Sequence, residues 1–401
     1  MEVEKPLEGL KVLELGQLIA GPFTTRILGE FGAEIIKVEA PGKGDPLRRW
    51  RHIYKGDSLW SRIQSRNKKS ITVDLKSNEG QQIVRELAAS CDIVVENFRP
   101  GTLEKWNLGY EDLSKENEGL IFVRISGYGQ TGPYKDKTGF GSIGESFGGL
   151  RYITGYPDRP PTRVGITIGD QIAALYSIIG SLMAVYHRDV KGTGKGQVID
   201  VALYEAVFSF MEGMVPEYDK FGAVRERTGA SLPGVTPSNT YECKDGKHIV
   251  IGGNGDSIFK RLMEAIGRKD LAEDKKFQDN TGRSQHAEFL DETIEAWTKT
   301  QPFHEALEKL ENASVPAGGI YSIADIMQHP HYLEREMIQN FPLDKEEEVK
   351  IPGVVPKMSE TPGGTKWLGP DIGEHTKEIL TNYLAYDAEK MKELKDKGII
   401  D

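Results

Sequence analysis

The stretch KVLELGQLIAGPFTTRILGEFGAEIIKVE (11–39) decides the fold class, because the period of its apolar residues changes twice. Residues 11–15 and 34–39 are short runs of Val, Ile and Leu, which is typical of buried strands. The segment 22–32 between them has helical spacing. A strand, a helix and a second strand in this order predict a βαβ unit with two parallel strands.

The same alternation continues through the first 130 residues. Short apolar runs of strand length lie at 70–75, 92–97 and 120–126, and a helical pattern fills 80–90. Helices that connect parallel strands cover both faces of the sheet. We therefore predict an α/β fold whose large domain contains a Rossmann-like parallel sheet.

A long apolar segment, 171–188, predicts a helix. Its most apolar part, 172–186, is shorter than the about 20 residues that span a bilayer, and Asp170 and Arg188 bracket it closely. The first residues of the chain are acidic and lack the plan of a signal peptide. We expect a buried helix in a protein that does not associate with membranes.

The second half of the chain has a different composition. Residues 227–239 are rich in Gly, Pro, Ser and Thr and are expected to form a linker or mobile loop. A hairpin at 239–253 and two or three helices between 256 and 312 indicate a smaller α+β domain. The tail predicts two charged surface helices. The expected division is 1–225 for the first part of the large domain, 226–320 for the small domain, and 321–401 for the return to the large domain.

Charge and cysteine content exclude several classes of protein. The net charge of −10 argues against a nucleic-acid-binding protein. Cys91 and Cys243 show neither CxxC spacing nor a disulfide framework, which favours the reducing cytoplasm. His329 and His331 lie close together, but a proline separates them and no carboxylate is near in sequence. We therefore expect no metal site.

Residues 41–76 form a basic island: ten Lys or Arg and three Asp give a local charge of +7. The island is either a solvated basic face or a binding site for a small polyanion such as a nucleotide or CoA. Glu39 stands where a dinucleotide-binding fold places its ribose-binding acid. The turn GQLIAGP (16–22), however, lacks the GxGxxG glycines, so dinucleotide binding is only weakly indicated.

The loop after the strand at 92–97 is a candidate binding segment. Asn97, Phe98 and Arg99 would project from the carboxyl end of a parallel sheet, where open α/β folds bind ligands. The alternative is a plain strand-to-helix turn, and composition alone does not distinguish the two.

Asp170 is the only charged residue between Arg163 and His187. One interpretation is that it caps the apolar helix, since Asp is a favoured N-cap residue. The other is that its carboxylate is a reagent. In either case, backbone N–H groups at a helix start are expected to favour the charged carboxylate.

Taken together, eight segments resemble the class III CoA-transferases, the family of the formyl-CoA:oxalate and carnitine CoA-transferases. They occur in the family's order and cover nearly the whole chain. The segments are 7–22, 28–45, 67–76, 94–101, 126–134, 160–170, 192–203 and 368–376.

The resemblance implies a large domain built from both chain ends, a smaller domain from the middle, and two chains interlocked as a homodimer. It implies that acyl-CoA and a small carboxylic acid are substrates, with no permanently bound cofactor, and that Asp170 is the catalytic nucleophile. Ala40 departs from a relative that carries Arg, so Arg48 or another basic side chain is expected to hold the adenine end. The positions that the resemblance assigns to CoA binding are Leu18, Val73, Lys76, Asn97, Phe98, Arg99 and Lys105.

The expected activity is transfer of CoA from an acyl-CoA donor, with succinyl-CoA as a candidate, to a free carboxylic acid. Two alternatives are a 2-methylacyl-CoA racemase and a non-catalytic CoA-binding relative. The racemases carry a His where this sequence has Phe140. Gly141 and Ile19 stand where the oxalate enzyme has Glu and Gln, which predicts a roomier, less polar pocket. A dicarboxylate of four to six carbons would suit that pocket if Arg163 or another cation reaches its far carboxylate.

Overall fold

The computed structural model describes residues 4–401 and shows a mixed α/β structure. The strands are β1 (Lys11–Glu14), β2 (Glu34–Glu39), β3 (Ile53–Tyr54), β4 (Asp57–Ser58), β5 (Lys68–Thr72), β6 (Ile93–Glu96), β7 (Ile121–Ser126), β8 (Val198–Ala202), β9 (Ser238–Glu242), β10 (His248–Gly252), β11 (Ala317–Gly319), β12 (Ile338–Pro342) and β13 (Glu348–Pro352). The α-helices are α1 (Ala20–Glu30), α2 (Leu59–Gln64), α3 (Asn78–Ala89), α4 (Thr102–Lys105), α5 (Tyr110–Leu113), α6 (Gly141–Phe147), α7 (Leu150–Ile153), α8 (Ile168–Val185), α9 (Leu203–Phe208), α10 (Met214–Phe221), α11 (Asp256–Ala265), α12 (Lys269–Glu273), α13 (Asn280–Gln285), α14 (Ala287–Thr298), α15 (Phe303–Asn312), α16 (Ile323–Ile326), α17 (Pro330–Glu334), α18 (Thr376–Leu384) and α19 (Ala388–Asp396).

Six strands form the main sheet, in the order β5-β2-β1-β6-β7-β8. All of its strand pairs are parallel, and Val12 of β1 pairs with Ile35 on one side and Ile93 on the other. The predicted parallel α/β fold is therefore confirmed. Chain order reverses between β1 and β6, so a switch point lies at the centre of the sheet.

Alternation along each strand builds two apolar layers, one on each face of the sheet. Leu13 and Ile36 belong to one buried cluster, which includes residues of α3, α18 and α19. Val12 and Ile35 belong to the other, which includes residues of α1, α8 and α9. Because neighbouring residues of a strand point to opposite faces, both faces must be covered, and the strand sequences are nearly continuous apolar runs.

The chain divides into two compact units. Residues 4–151, 163–223 and 336–401 form the first, and residues 152–162 and 224–335 form the second. The domain boundaries given above stay a prediction. The second unit contains a three-stranded antiparallel sheet, in the order β11-β10-β9. Five α-helices, rather than the expected two or three, lie between residues 256 and 312, because short turns divide the helical pattern.

Helix α8 is only half covered. Its small residues, among them Ala173, Ser177 and Ala184, are buried. Large apolar side chains on its other side are exposed, and Met183 is 66% exposed. Together with a π-helical turn that follows it, α8 is the one segment of residues 4–401 that is long and apolar enough to cross a membrane. This is weak evidence for a span, because helices that pack in protein cores pass the same test.

Candidate active site

A cavity of about 450 Å³ lies at the carboxyl ends of β1, β6, β7 and β8, at the switch point of the sheet. Ligands of open α/β folds bind at this place. The loop after each strand contributes residues to the wall. Lining residues include Gln17, Leu18, Ile19, Trp50, Asn97, Phe98, Arg99, Ser126, Lys137, Phe140, Gly141, Arg163, Thr167, Asp170 and Leu203.

Asp170 lies in the first turn of α8, which begins at Ile168 after Thr167 as its N-cap. The interpretation of Asp170 as the N-cap is therefore wrong. Asp170 is the only acidic residue among the described residues that line the cavity. This position agrees with a carboxylate that faces a substrate.

Gly141 lies against the Asp170 carboxylate. A Cβ atom built on Gly141 would lie 2.1 Å from Oδ2 of Asp170. The space that a glycine leaves at this position is thus filled by the Asp170 carboxylate. The expected roomier pocket is wrong at this point, because the missing side chain makes room for Asp170 and not for substrate.

The environment of Asp170 raises its pKa to about 6 from the ordinary 3.8. Burial is the main cause, the negative charge of Glu145 adds to it, and the positive charge of Arg163 opposes it. Glu145 is itself buried, and its carboxylate accepts hydrogen bonds from Gly169 N (3.4 Å) and Arg151 (3.3 Å). The expectation that the helix start favours the charged form is therefore wrong, since burial and Glu145 outweigh it.

This raised pKa predicts the pH dependence of any reaction in which Asp170 is a nucleophile. The reactive form is the carboxylate, so the rate should rise with pH through about 6 and level off above it. The measurement is the pH profile of kcat/KM for an acyl-CoA substrate. In Glu145→Gln, which removes a like charge, the midpoint should move to lower pH. A wild-type midpoint near the ordinary Asp value would contradict this assignment.

Three cations line the cavity with Asp170: Arg99, Lys137 and Arg163. Arg99 donates a hydrogen bond to the Asp136 carbonyl (2.6 Å), and the Lys137 ammonium lies 3.3 Å from the centre of the Tyr134 ring. The three cations outnumber the one carboxylate, so the lining carries a net positive charge even when Asp170 is charged. Such a surface suits a substrate that carries several negative charges.

The predicted binding residues fall into two groups. Leu18, Asn97, Phe98 and Arg99 line the cavity. The others lie outside it: Val73 is buried in the core after β5, while Lys76 after β5 and Lys105 in α4 are exposed. For all of them, contact with CoA stays a prediction.

Glu96, the last residue of β6, holds the loop that carries Asn97, Phe98 and Arg99. The Glu96 carboxylate accepts hydrogen bonds from Phe98 N (2.7 Å) and from Arg124 Nε (2.8 Å). Burial raises the pKa of Glu96 to about 7 although Arg124 opposes this effect. The turn after β6 is therefore a supported structure and not a plain connection.

Most of the basic island is neutralised by ion pairs. Arg48 is buried and pairs with Glu39 (2.7 Å) and Asp57 (2.8 Å), so the expectation that Arg48 holds the adenine end is wrong. Burial alone would raise the pKa of Glu39, but Arg48 and Lys37 outweigh burial and lower it to about 2. Glu39 is therefore a structural partner of Arg48 and does not stand free for a ribose.

Sequence reasoning missed a cluster of buried charges beside the cavity. Glu14 is fully buried between Lys37 (2.7 Å) and Lys68 (2.8 Å), and Lys37 also pairs with Asp45 (2.9 Å). A signal was available for two of them, because Glu14 lies between Leu13 and Leu15, and Lys37 lies between Ile36 and Val38. Charged residues at such positions are buried only with a partner. Lys68 begins β5 between two polar residues and gave no such signal.

Residues 4–401 contain no group of three or more His, Cys, Asp or Glu that could hold a metal ion. His329 instead caps α17, where its Nδ1 accepts a hydrogen bond from His331 N (3.2 Å). Cys91 and Cys243 are free and buried, and burial raises the pKa of the Cys91 thiol to about 12.

Comparisons with known proteins identify the family. A family model, CoA-transferase family III, matches residues 7–376. The chain is 49% identical to the succinyl-CoA–D-citramalate CoA-transferase of Chloroflexus aurantiacus, over 99% of this chain and 98% of that one. It is 41% identical to the beta subunit of the succinyl-CoA–L-malate CoA-transferase of the same organism, over 98% of each chain.

A solved structure has the same fold. A CaiB/BaiF family protein from Brucella suis superimposes with a TM-score of 0.84 at 32% identity, over 95% of this chain and 100% of that one. The resemblance predicted from eight sequence segments is thus confirmed. With a family match along residues 7–376 and a relative of 49% identity over nearly its full length, the chain belongs to CoA-transferase family III.

Proposed function

We propose that the protein transfers CoA from succinyl-CoA to a small dicarboxylic acid, with Asp170 as the nucleophile. One observation carries the proposal: a single carboxylate lies in a cavity lined by three cations at the carboxyl edge of the sheet. The named substrates of the two relatives from Chloroflexus, D-citramalate and L-malate, are both dicarboxylic acids, which supports the substrate class.

The chemistry is covalent catalysis in two halves. The Asp170 carboxylate attacks the thioester carbonyl of the donor, a mixed anhydride forms, and CoA leaves as a thiolate. The thiolate then attacks the Asp170 carbonyl, which gives an aspartyl-CoA thioester and releases the donor acid. Next the acceptor carboxylate attacks this thioester and displaces CoA. CoA finally attacks the acceptor carbonyl of the second anhydride, which yields the new acyl-CoA and regenerates Asp170.

The proposed path of CoA follows the carboxyl edge of the sheet. The residues that the resemblance assigns to CoA follow β5, β1 and β6, except Lys105, which ends the short helix α4 after β6, and Ala40 follows β2. These four strands are consecutive in the sheet. At about 4.8 Å between neighbours they span roughly 15 Å, a length that suits an extended ligand such as CoA.

The racemase alternative has less support. It requires an imidazole that moves an α-proton, and no histidine is among the described residues that line the cavity. Phe140, which stands where racemases carry His, is 67% exposed at the cavity. A non-catalytic role is also less favoured, because the cavity contains both the Asp170 carboxylate and the three cations.

The test of the proposed function is an exchange assay in which succinyl-CoA is mixed with a panel of free acids. Formation of a new acyl-CoA with release of succinate is the expected result. A protein that binds CoA but catalyses no exchange with any acid, or that exchanges only the α-proton of an acyl-CoA, would contradict it.

Arg163 is the residue that we expect to bind the far carboxylate of the substrate. In Arg163→Met, the KM for dicarboxylic acceptors should rise by about 10–100-fold, since a charge-assisted pair is lost. Monocarboxylic acceptors should be nearly unaffected. Steady-state kinetics with both kinds of acid measure this difference. An equal loss for both kinds, or wild-type preference for monocarboxylates over every diacid, would remove Arg163 from this role.

We also propose that the protein is a homodimer of the interlocked kind that the resemblance implies. The support is the exposed apolar side of α8, where Leu175, Ile179, Leu182 and Met183 recur at helical spacing. A single chain would leave this area in water at a large cost. The proposed compartment is the cytoplasm, in agreement with two free cysteines.

Met183→Lys should weaken the dimer, because it places a charge within the apolar side of α8. Light scattering after gel filtration should give twice the chain mass for the wild-type protein and a lower mass for the variant. Glu292→Lys, on the exposed side of α14, is the matched control and should remain dimeric. A wild-type protein that is monomeric at all concentrations would contradict the proposal.

A further inference from the structure

The loop 16–18 connects β1 to α1 and forms one wall of the cavity. Three side chains from distant parts of the chain bind four of its backbone groups. Lys37 Nζ donates to the first carbonyl of the loop (3.1 Å). The Asn97 amide both accepts from the N–H and donates to the carbonyl of the middle residue (2.8 Å each). The N–H of Leu18 donates to both oxygens of Asp45 (3.1 Å each).

Leu18 has a backbone conformation that needs this support. Its φ is +64°, in the left-handed region that a leucine rarely adopts. Such a conformation persists only where surrounding contacts determine it, and it is common at functional sites. The contact that holds it is the pair of bonds to Asp45.

Asp45 is itself held rigidly by buried charges. It is 3% exposed, and its Oδ2 pairs with the Lys37 ammonium at 2.9 Å. Lys37 is 2% exposed and pairs with Glu14 at 2.7 Å. Asp45 also accepts a hydrogen bond from Leu47 N (2.9 Å). These partners leave the carboxylate little freedom to move, because each of them is buried or lies in a fixed backbone segment.

We infer that Asp45 and Lys37 are positioning residues that lock the loop 16–18 in the shape that receives the CoA thioester. They are separated from the cavity by the loop and do not reach the reacting atoms, so they set affinity for CoA and leave the attack by Asp170 unchanged. The identity of the ligand rests on the proposed function.

The test compares two variants that each remove one buried carboxylate charge. Asp45→Asn weakens the hold on the loop. Asp57→Asn, the matched control, removes a carboxylate that pairs with Arg48 and Arg62 and makes no bond to the loop. Titration calorimetry with CoA should give a Kd about 10–100-fold higher for Asp45→Asn than for the wild type. Asp57→Asn should stay within about threefold.

Two further readouts separate positioning from general destabilisation. In transfer assays, the KM for succinyl-CoA should rise in Asp45→Asn while kcat stays within about threefold. Hydrogen exchange in a peptide that covers 15–22 should be faster in Asp45→Asn than in Asp57→Asn. If Asp45→Asn fails to fold, Asp45→Glu is measured in the same way, because it keeps the negative charge beside Lys37 but displaces the carboxylate from the N–H of Leu18.

An unchanged Kd in Asp45→Asn, or an equal rise in Asp57→Asn, would overturn this inference while the proposed function stands. A wild-type protein that binds no CoA would overturn both.

Discussion

Asp170→Asn should abolish CoA transfer, with a loss of at least about 10⁴-fold in kcat. The amide cannot attack a thioester, and no other carboxylate among the described residues lines the cavity. The measurement combines the exchange assay with mass spectrometry of protein that is mixed with succinyl-CoA and trapped with hydroxylamine. An adduct at Asp170 should form in the wild-type protein and be absent in the variant.

The same substitution should make the protein more stable at neutral pH. The folded pKa of Asp170, about 6, lies above the ordinary 3.8, so the folded state resists ionisation. The free-energy cost of the charged Asp170 in the folded state is absent at pH values below about 4. It grows as the pH rises to about 6 and is constant above that. The difference corresponds to about 3 kcal/mol, and partial solvation reduces the expected gain in Asp170→Asn to about 1–3 kcal/mol at pH 7.5.

The control for both effects is Asp189→Asn, in the exposed turn that follows α8, where the carboxylate pairs with Arg188 (2.7 Å). This variant should keep normal activity and show little change in the urea midpoint. If Asp170→Asn retained about a tenth of the normal rate or more, Asp170 would not be the nucleophile. If Asp170→Asn were less stable than the wild-type protein at neutral pH, the environment of Asp170 would favour the charged carboxylate.

Glu14→Gln should produce the largest loss of stability. It leaves the ammonium groups of Lys37 and Lys68 in the core without the anion that lies between them. Burial alone would raise the pKa of Glu14, but the two lysines outweigh burial and lower it, so the native carboxylate is charged. Removing one partner from such a buried set costs about 3–5 kcal/mol.

Urea denaturation measures the free energy of unfolding of Glu14→Gln. Glu393→Gln is the control, because its exposed carboxylate pairs with Lys397 (2.6 Å) on the surface of α19 and contributes little. If the two variants were equally stable, the buried charges would already be solvated in the native protein. Partial recovery in Glu14→Gln combined with Lys68→Gln would show that the uncompensated lysine causes the loss.

The sequence predicts the central sheet well, and the reason is physical. Strands of a parallel sheet are buried on both faces, so they appear in the sequence as short, continuous apolar runs. The predicted strand at 34–39 coincides with β2, and β1, β6 and β7 match their predictions within one residue, while β5 begins two and ends three residues before the predicted 70–75. Helix α1 begins at Ala20, two residues before the predicted start at Pro22, because a proline fits within the first turn of a helix.

The exposed side of α8 could not be predicted from the sequence. Leu175 and Ile178 are equally apolar, yet one is exposed and the other is buried. An apolar pattern shows that a side chain avoids water, but it does not say whether the same chain or a partner covers it. The expected buried helix was therefore right for only half of its surface.

The details of the site depend on contacts between residues far apart in sequence. Gly141 and Asp170 meet although 28 residues separate them, and Asp45 reaches the loop 16–18 from after β2. Arg48 belongs to a basic run in sequence, but folding places Glu39 and Asp57 around it. Composition gives local charge, whereas the field at a site depends on which charges the fold brings together.

The buried set of Glu14, Lys37 and Lys68 has a consequence for how this protein can evolve. Replacing all three together with Asp45, the second anion beside Lys37, by apolar residues of similar size should cost little, because the cost of burying the charges would vanish with the charges. Each single replacement, however, leaves the two anions and two cations out of balance in the core, and a natural protein has only about 5–15 kcal/mol of stability in total. Descendants of this sequence can therefore leave the ionic arrangement only through a poorly folded ancestor or by simultaneous mutations, so these positions should change in charge-balanced sets or not at all.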